Sequence, residues 1–187
     1  MSSHERARAA GPVVVSQLGP PGAEATEVRP GAPIVRVFGG VGVEGDDGPI
    51  SIGGHRQRRL LALLVLRTGA VVGLDWLAEH LWEDHERPES TTPALRTYVS
   101  RLRNALPEPA RAWITTEPAG YRFTAPVEAV EHQRFLALRE EATRFRSRGD
   151  PLPALELLDE ALGLWRGDPF PELDDMAWAR AEIEGLK

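Results

Sequence analysis

The chain has no cysteine, and only one of its 22 basic residues is a lysine. Without cysteine, disulfide bonds, cysteine–zinc sites and thiol nucleophiles are excluded. Because arginine supplies almost every positive charge, we attribute the bias to a GC-rich genome rather than to selection for guanidinium chemistry. Neither a G-x-S-x-G nor a P-loop motif is present, so nothing in the sequence indicates catalysis, and we expect no cofactor and no metal.

Long apolar runs are also missing from the sequence. The longest run, Leu60 to Leu66, is far shorter than the ~20 residues that a membrane span needs. Val13 to Val15 is too short to form the core of a signal peptide. We therefore expect a cytoplasmic protein with no membrane partner.

The net charge of −6 is unevenly distributed along the chain. Residues 31 to 125 carry eleven bases and eleven acids, whereas residues 126 to 187 carry eight bases and fourteen acids. A neutral middle region with a local cluster of arginines is compatible with a nucleic-acid partner, because the local face sets the contact.

The N-terminal part of the chain predicts a disordered leader followed by a small sheet. Residues 1 to 32 are rich in Pro, Gly, Ala and Ser and show no sustained period. Short strands of an antiparallel sheet are then expected at 34–38, 41–43 and 50–52. Gly40 to Gly45 matches the dinucleotide fingerprint G-x-G-x-x-G, but that motif needs a helix to begin at its glycines, and here a turn and another strand follow.

Two helices come next, the first at His55 to Thr68 and the second at Leu74 to Trp82. Three arginines lie in the opening turns of the first helix, at positions 56, 58 and 59. Since positive charge opposes the helix dipole there, either an anionic partner or simple solvation would account for them. Val71-Val72 is expected to form a brief strand between the two helices.

The stretch Thr91 to Leu106 predicts a helix with two distinct faces. Ser90 and Pro93 give a hydroxyl N-cap followed by proline in the first turn. The apolar seam consists of Leu95, Val99, Leu102 and Leu106, with Tyr98 at its edge. The opposite face carries Thr97, Ser100 and Asn104, flanked by Arg96 and Arg103 on one side and by Arg101 on the other. Such a face suits a DNA groove, although an ordinary solvated surface helix has the same pattern.

A predicted hairpin directly follows this helix, with strands at 113–116 and 120–124. Two helices followed by a hairpin constitute a winged helix. From residue 127 onward the pattern becomes all-helical, with helices at 131–148 and 152–165 and a third beginning near Met176. The first two helices resemble one tetratricopeptide-like unit, whose packing face is expected to consist of Ala154, Leu157, Leu158, Ala161 and Leu162. One such unit cannot bury its own core, so we expect the chain to be part of a longer protein.

The sequence resembles the actinobacterial antibiotic-regulatory transcriptional activators, which join an OmpR-type winged helix to a bacterial transcriptional activation domain. The resemblance covers roughly residues 33 to 187. The matching runs, in the family's order, are GGHRQRRLLALLVLRTGAVV, LDWLAEHLW, LRTYVSRLRNAL, EPAGYRF and EALGLWRGDPF.

The resemblance implies an α+β winged helix-turn-helix (OmpR-like) followed by an all-α tetratricopeptide-like helical segment. Its domains would be a leader at 1–32, a winged-helix DNA-binding domain at 33–125 and the first part of the activation domain at 126–187. The implied function is activation of transcription at the nucleoid, through binding to direct-repeat promoter sites in double-stranded DNA. The resemblance also implies recruitment of RNA polymerase, including its sigma factor, and self-association on DNA. The implied targets are secondary-metabolite genes.

The resemblance also assigns individual residues. The major-groove face would consist of Arg96, Thr97, Ser100 and Arg101, with Asn104 beside them. Arg103 would contact a phosphate, and Arg122 lies at the base of the wing. In the loop between the second and third helices, polymerase contact is expected from Glu83, Asp84, Glu86 and Glu89.

Glu117 departs from the family pattern, because a basic residue commonly meets the minor groove at that point of the wing. The alternative function is that of a protein-interaction adaptor whose winged helix has weak or lost DNA affinity. The neutral charge of residues 31 to 125 and the presence of Glu117 are its support.

Overall fold

The computed structural model describes residues 32 to 82 and 86 to 186. The predicted leader therefore lies outside the described residues except for Ala32. The helices are α1 (His55–Leu66), α2 (Leu74–Leu81), α3 (Thr91–Ala105), α4 (Glu131–Ser147), α5 (Pro151–Gly163) and α6 (Ala177–Glu184). The strands are β1 (Ile34–Arg36), β2 (Gly42–Gly45), β3 (Gly48–Ile50), β4 (Val71–Gly73), β5 (Ile114–Glu117) and β6 (Gly120–Phe123).

Two antiparallel sheets frame the first three helices. The first has the order β1-β2-β3, and the second has the order β4-β6-β5. The predicted winged-helix fold and the helical segment after it are confirmed. The glycines at 40–45 lie beside and within β2, which turns into β3. This hairpin is the reason why the G-x-G-x-x-G match has no helix at which to hold a pyrophosphate.

Helix α1 is the centre of the core. Its residues Leu60 to Val65 are fully buried, and α2, α3 and β6 all pack against it. Two of its three N-terminal arginines have carboxylate partners within the chain, since Arg56 pairs with Glu86 and Arg59 pairs with Asp175. Internal anions therefore account for much of the positive charge at this helix start.

The helical segment completes its core on the first sheet. Phe38, which follows β1, stacks on Trp165 with ring centroids 4.6 Å apart and meets Phe135 of α4 edge-on at 5.6 Å. Phe170 and Leu173, which follow α5, are also fully buried. A single helical pair cannot bury its apolar residues by itself, and here residues of the winged helix pack against them.

The expected packing face of α5 is wrong in part. Ala154 and Ala161 are buried, but Leu158 and Leu162 are exposed. The small alanine side chains allow α5 to approach α4 closely, and the larger leucines therefore lie outside the contact.

Polar groups lie within the boundary between the sheet and the helical segment. The buried carboxylate of Glu131 accepts hydrogen bonds from the backbone N–H groups of Val37 (2.8 Å) and Phe38 (3.2 Å), and Arg166 donates to its other oxygen. Burial lowers the pKa of the neighbouring His132 to about 4, so this imidazole is neutral at physiological pH.

No helix of the described part of the chain has both the length and the apolar composition to cross a membrane.

Candidate nucleic-acid interface

Helix α3 is anchored by its apolar seam. Leu95, Val99 and Leu102 are at most 1% exposed, and Tyr98 meets the ring of Trp82 edge-on at 6.0 Å. Ser90 is the N-cap residue, but its hydroxyl makes no capping hydrogen bond within the described chain. Since the seam is fixed against α1 and α2, the opposite face of α3 points away from the core.

The exposed face of α3 holds the predicted base-reading side chains. Arg96, Thr97, Ser100, Arg101 and Asn104 are all exposed. The Thr97 hydroxyl donates to the Pro93 carbonyl one turn earlier, at 3.0 Å, which leaves its oxygen free to accept from a ligand.

The two outer arginines of this face lie on opposite margins. Arg96 borders the groove between α3 and the β5–β6 hairpin, and Arg101 borders the groove between α3 and the start of α1. Among the described residues, neither guanidinium has an acidic partner within 4.0 Å. Elsewhere in the winged helix arginines do have such partners, as Arg59 has Asp175.

Arg103 differs from these two arginines because it is tied to the hairpin. Its Nε donates to the Ile114 carbonyl at 2.9 Å, and its Nη2 donates to the Thr116 hydroxyl at 3.0 Å. Its guanidinium carbon also lies 5.8 Å from the centre of the Tyr121 ring. Whatever it binds outside the chain, Arg103 fixes the angle between the helix and the hairpin.

The hairpin, or wing, also engages its own arginine. Arg122 Nε donates to Glu117 Oε1 at 3.1 Å, and its Nη1 donates to the Gly69 carbonyl at 2.8 Å. The charge of Glu117 is therefore compensated within the wing, and Arg122 fastens the wing to the chain before β4. The tip consists of two exposed residues, Pro118 and Ala119.

Sequence reasoning missed two residues that share this surface. Arg111 and Thr116 line the same groove as Arg96, a groove of about 330 Å³. Arg111 donates from Nε to the Arg103 carbonyl at the end of α3, at 3.2 Å. It lies in a short 3₁₀ turn, Ala110–Trp113, where no apolar periodicity could have marked it. The sequence feature that could have indicated Arg111 is a basic residue between the predicted recognition helix and the predicted hairpin.

The loop between α2 and α3 is described only in part. Glu83 and Asp84 lie outside the described residues, and Glu89 is exposed. Glu86 pairs with Arg56 at 2.6 Å, and its hydrogen bond is the main cause that raises the pKa of Arg56. This part of the loop is thus held against the first turn of α1.

The fold is that of a winged helix followed by a helical segment. Residues 52–123 match the family described as "Transcriptional regulatory protein, C terminal". Residues 130–187 match the family described as "Bacterial transcriptional activator domain". The chain therefore contains a domain of each of these two families, in the order that the resemblance to the antibiotic-regulatory activators implies.

Several known regulatory proteins are similar in sequence to this chain. Regulatory protein AfsR of Streptomyces coelicolor is 37% identical over 149 residues, which cover 79% of this chain and 15% of the relative. Transcriptional regulator RedD of the same species is 31% identical over 138 residues, covering 71% of this chain and 39% of RedD. Transcriptional regulatory protein EmbR of Mycobacterium tuberculosis is 33% identical over 134 residues, covering 70% of this chain and 34% of EmbR.

A solved structure shows the same fold. Mycobacterium tuberculosis EmbR, in complex with a low-affinity phosphopeptide, superposes with a TM-score of 0.72 at 28% sequence identity. The match covers 82% of this chain and 41% of the EmbR chain. The chain thus spans less than half the length of each of these relatives.

Proposed function

We propose that the chain is a sequence-specific activator that inserts α3 into the major groove of double-stranded DNA. The observation that carries this proposal is the exposed face of α3, on which Arg96 and Arg101 have no acidic partner among the described residues. The major groove, about 12 Å wide, admits an α-helix. The two guanidinium groups at the margins of this α3 face have no compensating acid, which favours a DNA phosphate or a guanine base as their partner.

The side chains of α3 would each recognise a different part of the DNA bases. Arg96 and Arg101 present forks suited to the two acceptors of guanine, and Asn104 can pair with adenine. Thr97 and Ser100 supply short hydroxyls at the centre. Larger groups are absent from these two central positions, which favours close approach of the helix to the base edges.

Arg103 and Arg122 would contribute mainly at the DNA backbone. Each already uses two guanidinium nitrogens within the chain, which leaves other N–H groups for a phosphate. With Arg122 bound to Glu117, the wing would add less to affinity than the helix does.

The remaining features of the proposal concern assembly at the promoter. Copies of the winged helix would occupy direct repeats about one helical turn, ~10 bp, apart, self-associate on the DNA and recruit RNA polymerase with its sigma factor. The exposed Glu89 supports a polymerase contact by the loop at 83–89. The targets would be secondary-metabolite genes, and the protein would act in the cytoplasm at the nucleoid.

The test is selection of genomic DNA fragments by the purified protein, followed by fluorescence anisotropy titration on the enriched sequence. We expect Arg101→Ala to weaken specific binding roughly 5- to 150-fold, which corresponds to about 1–3 kcal/mol. Arg146→Ala, at an exposed arginine of α4, is the matched control and should leave binding unchanged. Unaltered specific affinity in Arg101→Ala and in Arg96→Ala would show that α3 does not read the bases.

An adaptor function remains the second candidate, because the engagement of Arg122 by Glu117 reduces the positive charge that the wing offers to DNA. The same titration on a genomic DNA pool separates the two functions. Negligible binding even at low salt favours the adaptor. Binding that weakens steeply with salt and still enriches one sequence favours the activator.

A further inference from the structure

The groove between α3 and the wing is lined mainly by hydrogen-bond donors. Its polar side chains include those of Arg96, Ser100, Arg103, Asn104, Arg111 and Thr116. None of the described residues that line it is acidic. Grooves elsewhere on the described surface do contain carboxylates, since Glu86 lies in the groove between α1 and α3, and Glu44 lies in a groove on the first sheet. The lining of the α3–wing groove therefore suits an anion.

Arg111 is held at the C-terminal end of α3. Its neighbours Ala110 and Trp113 are buried, which fixes the short turn that carries it. Its Nε donates to the Arg103 carbonyl at 3.2 Å, and its Nη2 donates to the Leu106 carbonyl at 3.4 Å. The helix dipole favours a positive charge at this end of a helix. The guanidinium group thus has a defined position beside the groove, and its other N–H groups are left for a ligand.

The acid that pairs with Arg111 compensates little of its charge. Glu108 Oε1 lies 3.8 Å from Arg111 Nε, and that nitrogen already donates to a backbone carbonyl. The side chains of Arg111 and Glu108 are 48% and 69% exposed, and such an exposed ion pair is weak. Arg122 of the wing differs, because it is hydrogen-bonded to Glu117 at 3.1 Å. Arg111 therefore retains positive charge for an anion outside the chain.

Thr116 offers a second donor on the wing side of the groove. Its exposed hydroxyl accepts a hydrogen bond from Arg103 Nη2 at 3.0 Å, which leaves its own O–H group to donate. A guanidinium group on the helix side and a hydroxyl on the wing side are complementary to the several acceptor oxygens of a phosphate.

We propose that Arg111 and Thr116 bind a backbone phosphate of the DNA strand that passes between α3 and the wing. This inference rests on the proposed insertion of α3 into the major groove, because a helix in that groove has a sugar–phosphate strand along each side. The strand on the wing side would cross the α3–wing groove. A phosphate contact at the end of α3 fixes the register and orientation of the helix on the duplex without reading the sequence.

The salt dependence of DNA binding tests this contact on the full chain. We expect Arg111→Ala to weaken selected and unselected DNA equally, roughly fivefold at about 0.15 M salt, and to reduce the salt slope by about one unit. Arg111→Lys should retain the slope, because it keeps the charge. A purely structural role at the end of α3 would lower affinity without changing the slope. Arg146→Ala, at the exposed arginine of α4, is the matched control, and circular dichroism confirms the fold of each variant.

Neutral methylphosphonate linkages, placed one at a time along both strands of the selected duplex, identify the phosphate. At one position, the neutral linkage should weaken binding of the unaltered protein roughly fivefold and should not further weaken binding of Arg111→Ala. Thr116→Val should show a smaller loss than the unaltered protein at the same position.

Two results distinguish a failure of this inference from a failure of the proposed function. If the unaltered protein binds DNA and Arg111→Ala keeps its affinity, salt slope and sensitivity to every linkage, the phosphate contact is wrong and insertion of α3 stands. If the unaltered protein does not bind DNA, both are wrong.

Calorimetry with inorganic phosphate examines the other source of the same chemistry. Should the ion bind, and should Arg111→Ala abolish that binding without changing the salt slope for DNA, the groove holds a free anion instead of a DNA strand.

Discussion

The arginines of the winged helix divide into two groups according to what their guanidinium groups contact. Arg96 and Arg101 extend from α3 without an acidic neighbour among the described residues. Arg103 and Arg122 donate to backbone and side-chain oxygens of the wing and of the segment before β4. The first group is available to a ligand, and the second holds the surface in shape.

Arg103 offers a test of this division. Arg103→Lys keeps the positive charge, but a lysine cannot donate in the fixed fork that reaches both Ile114 and Thr116. We expect Arg103→Lys and Arg103→Ala to lose about 1–2 kcal/mol of unfolding free energy in urea titrations. Both should also weaken DNA binding, because the wing is no longer held against α3.

The salt dependence of binding separates a positioning role from a phosphate contact at Arg103. If the residue also contacts a phosphate, Arg103→Ala should reduce the salt slope by about one unit, whereas Arg103→Lys should retain it. Arg180→Lys, at an exposed arginine of α6, is the control for a general effect of replacing arginine. Full affinity and stability in Arg103→Lys would contradict the positioning role.

At the scale of secondary-structure elements, the wing depends on a close approach between β4 and β6. Gly120 faces Gly73 in the pairing of these strands. A Cβ atom at position 120 would lie 1.9 Å from the Val72 carbonyl oxygen, a distance that no side chain can occupy. Glycine is therefore required at this position of the EPAGYRF run for a steric reason.

Gly120→Ala should accordingly displace β6 from β4 and destabilise the protein by about 3 kcal/mol. Thermal unfolding measures the loss. Gly42→Ala is the matched control, because Gly42 also lies in a strand and a Cβ there would meet nothing within 4 Å. Equal melting temperatures for the two variants would mean that the backbone at position 120 relaxes at little cost.

On the scale of the whole molecule, the winged helix and the helical segment share one core. The first sheet joins them through Phe38 and through the hydrogen bonds that Val37 and Phe38 donate to Glu131. Arg59 of α1 adds two bonds to Asp175, at 3.1 and 2.8 Å. The orientation of α3 is thereby linked, through α1, to the helices that follow.

Glu131→Gln tests how strongly this boundary holds. The amide oxygen can still accept both backbone hydrogen bonds, but the charge that pairs with Arg166 is lost and the amide NH2 group then faces the Arg166 donor. Because the Arg166 side chain is 36% exposed, water moderates the loss, and we expect about 2 kcal/mol of destabilisation.

The control for this substitution is Glu128→Gln, which removes the same charge at an exposed position three residues earlier. Its unfolding midpoint in urea should equal that of the unaltered protein. If Glu131→Gln also unfolds at that midpoint, the carboxylate contributes little to joining the two parts.

The sequence by itself determined the elements and the face of α3. Helix and strand periods are local patterns, so Leu95, Val99 and Leu102 indicate the buried side, and Ser100 and Arg101 are thereby placed on the opposite one. The alternation of strand residues on either side of a turn is also a local pattern, and it predicts the β5–β6 hairpin that forms the wing. The likeness of the matching runs to a family then indicated what such a face binds.

The tertiary structure alone decided which side chains are engaged and where the core closes. The helical period places Arg101 and Arg103 on opposite flanks of α3, but only the position of the wing decided that Arg103 is hydrogen-bonded within the chain. Arg59 and Asp175 are 116 residues apart, so no local pattern could pair them. The exposed leucines of α5 follow the period of a core helix, but whether they are buried depends on which elements pack against them, and α4 meets the alanines instead.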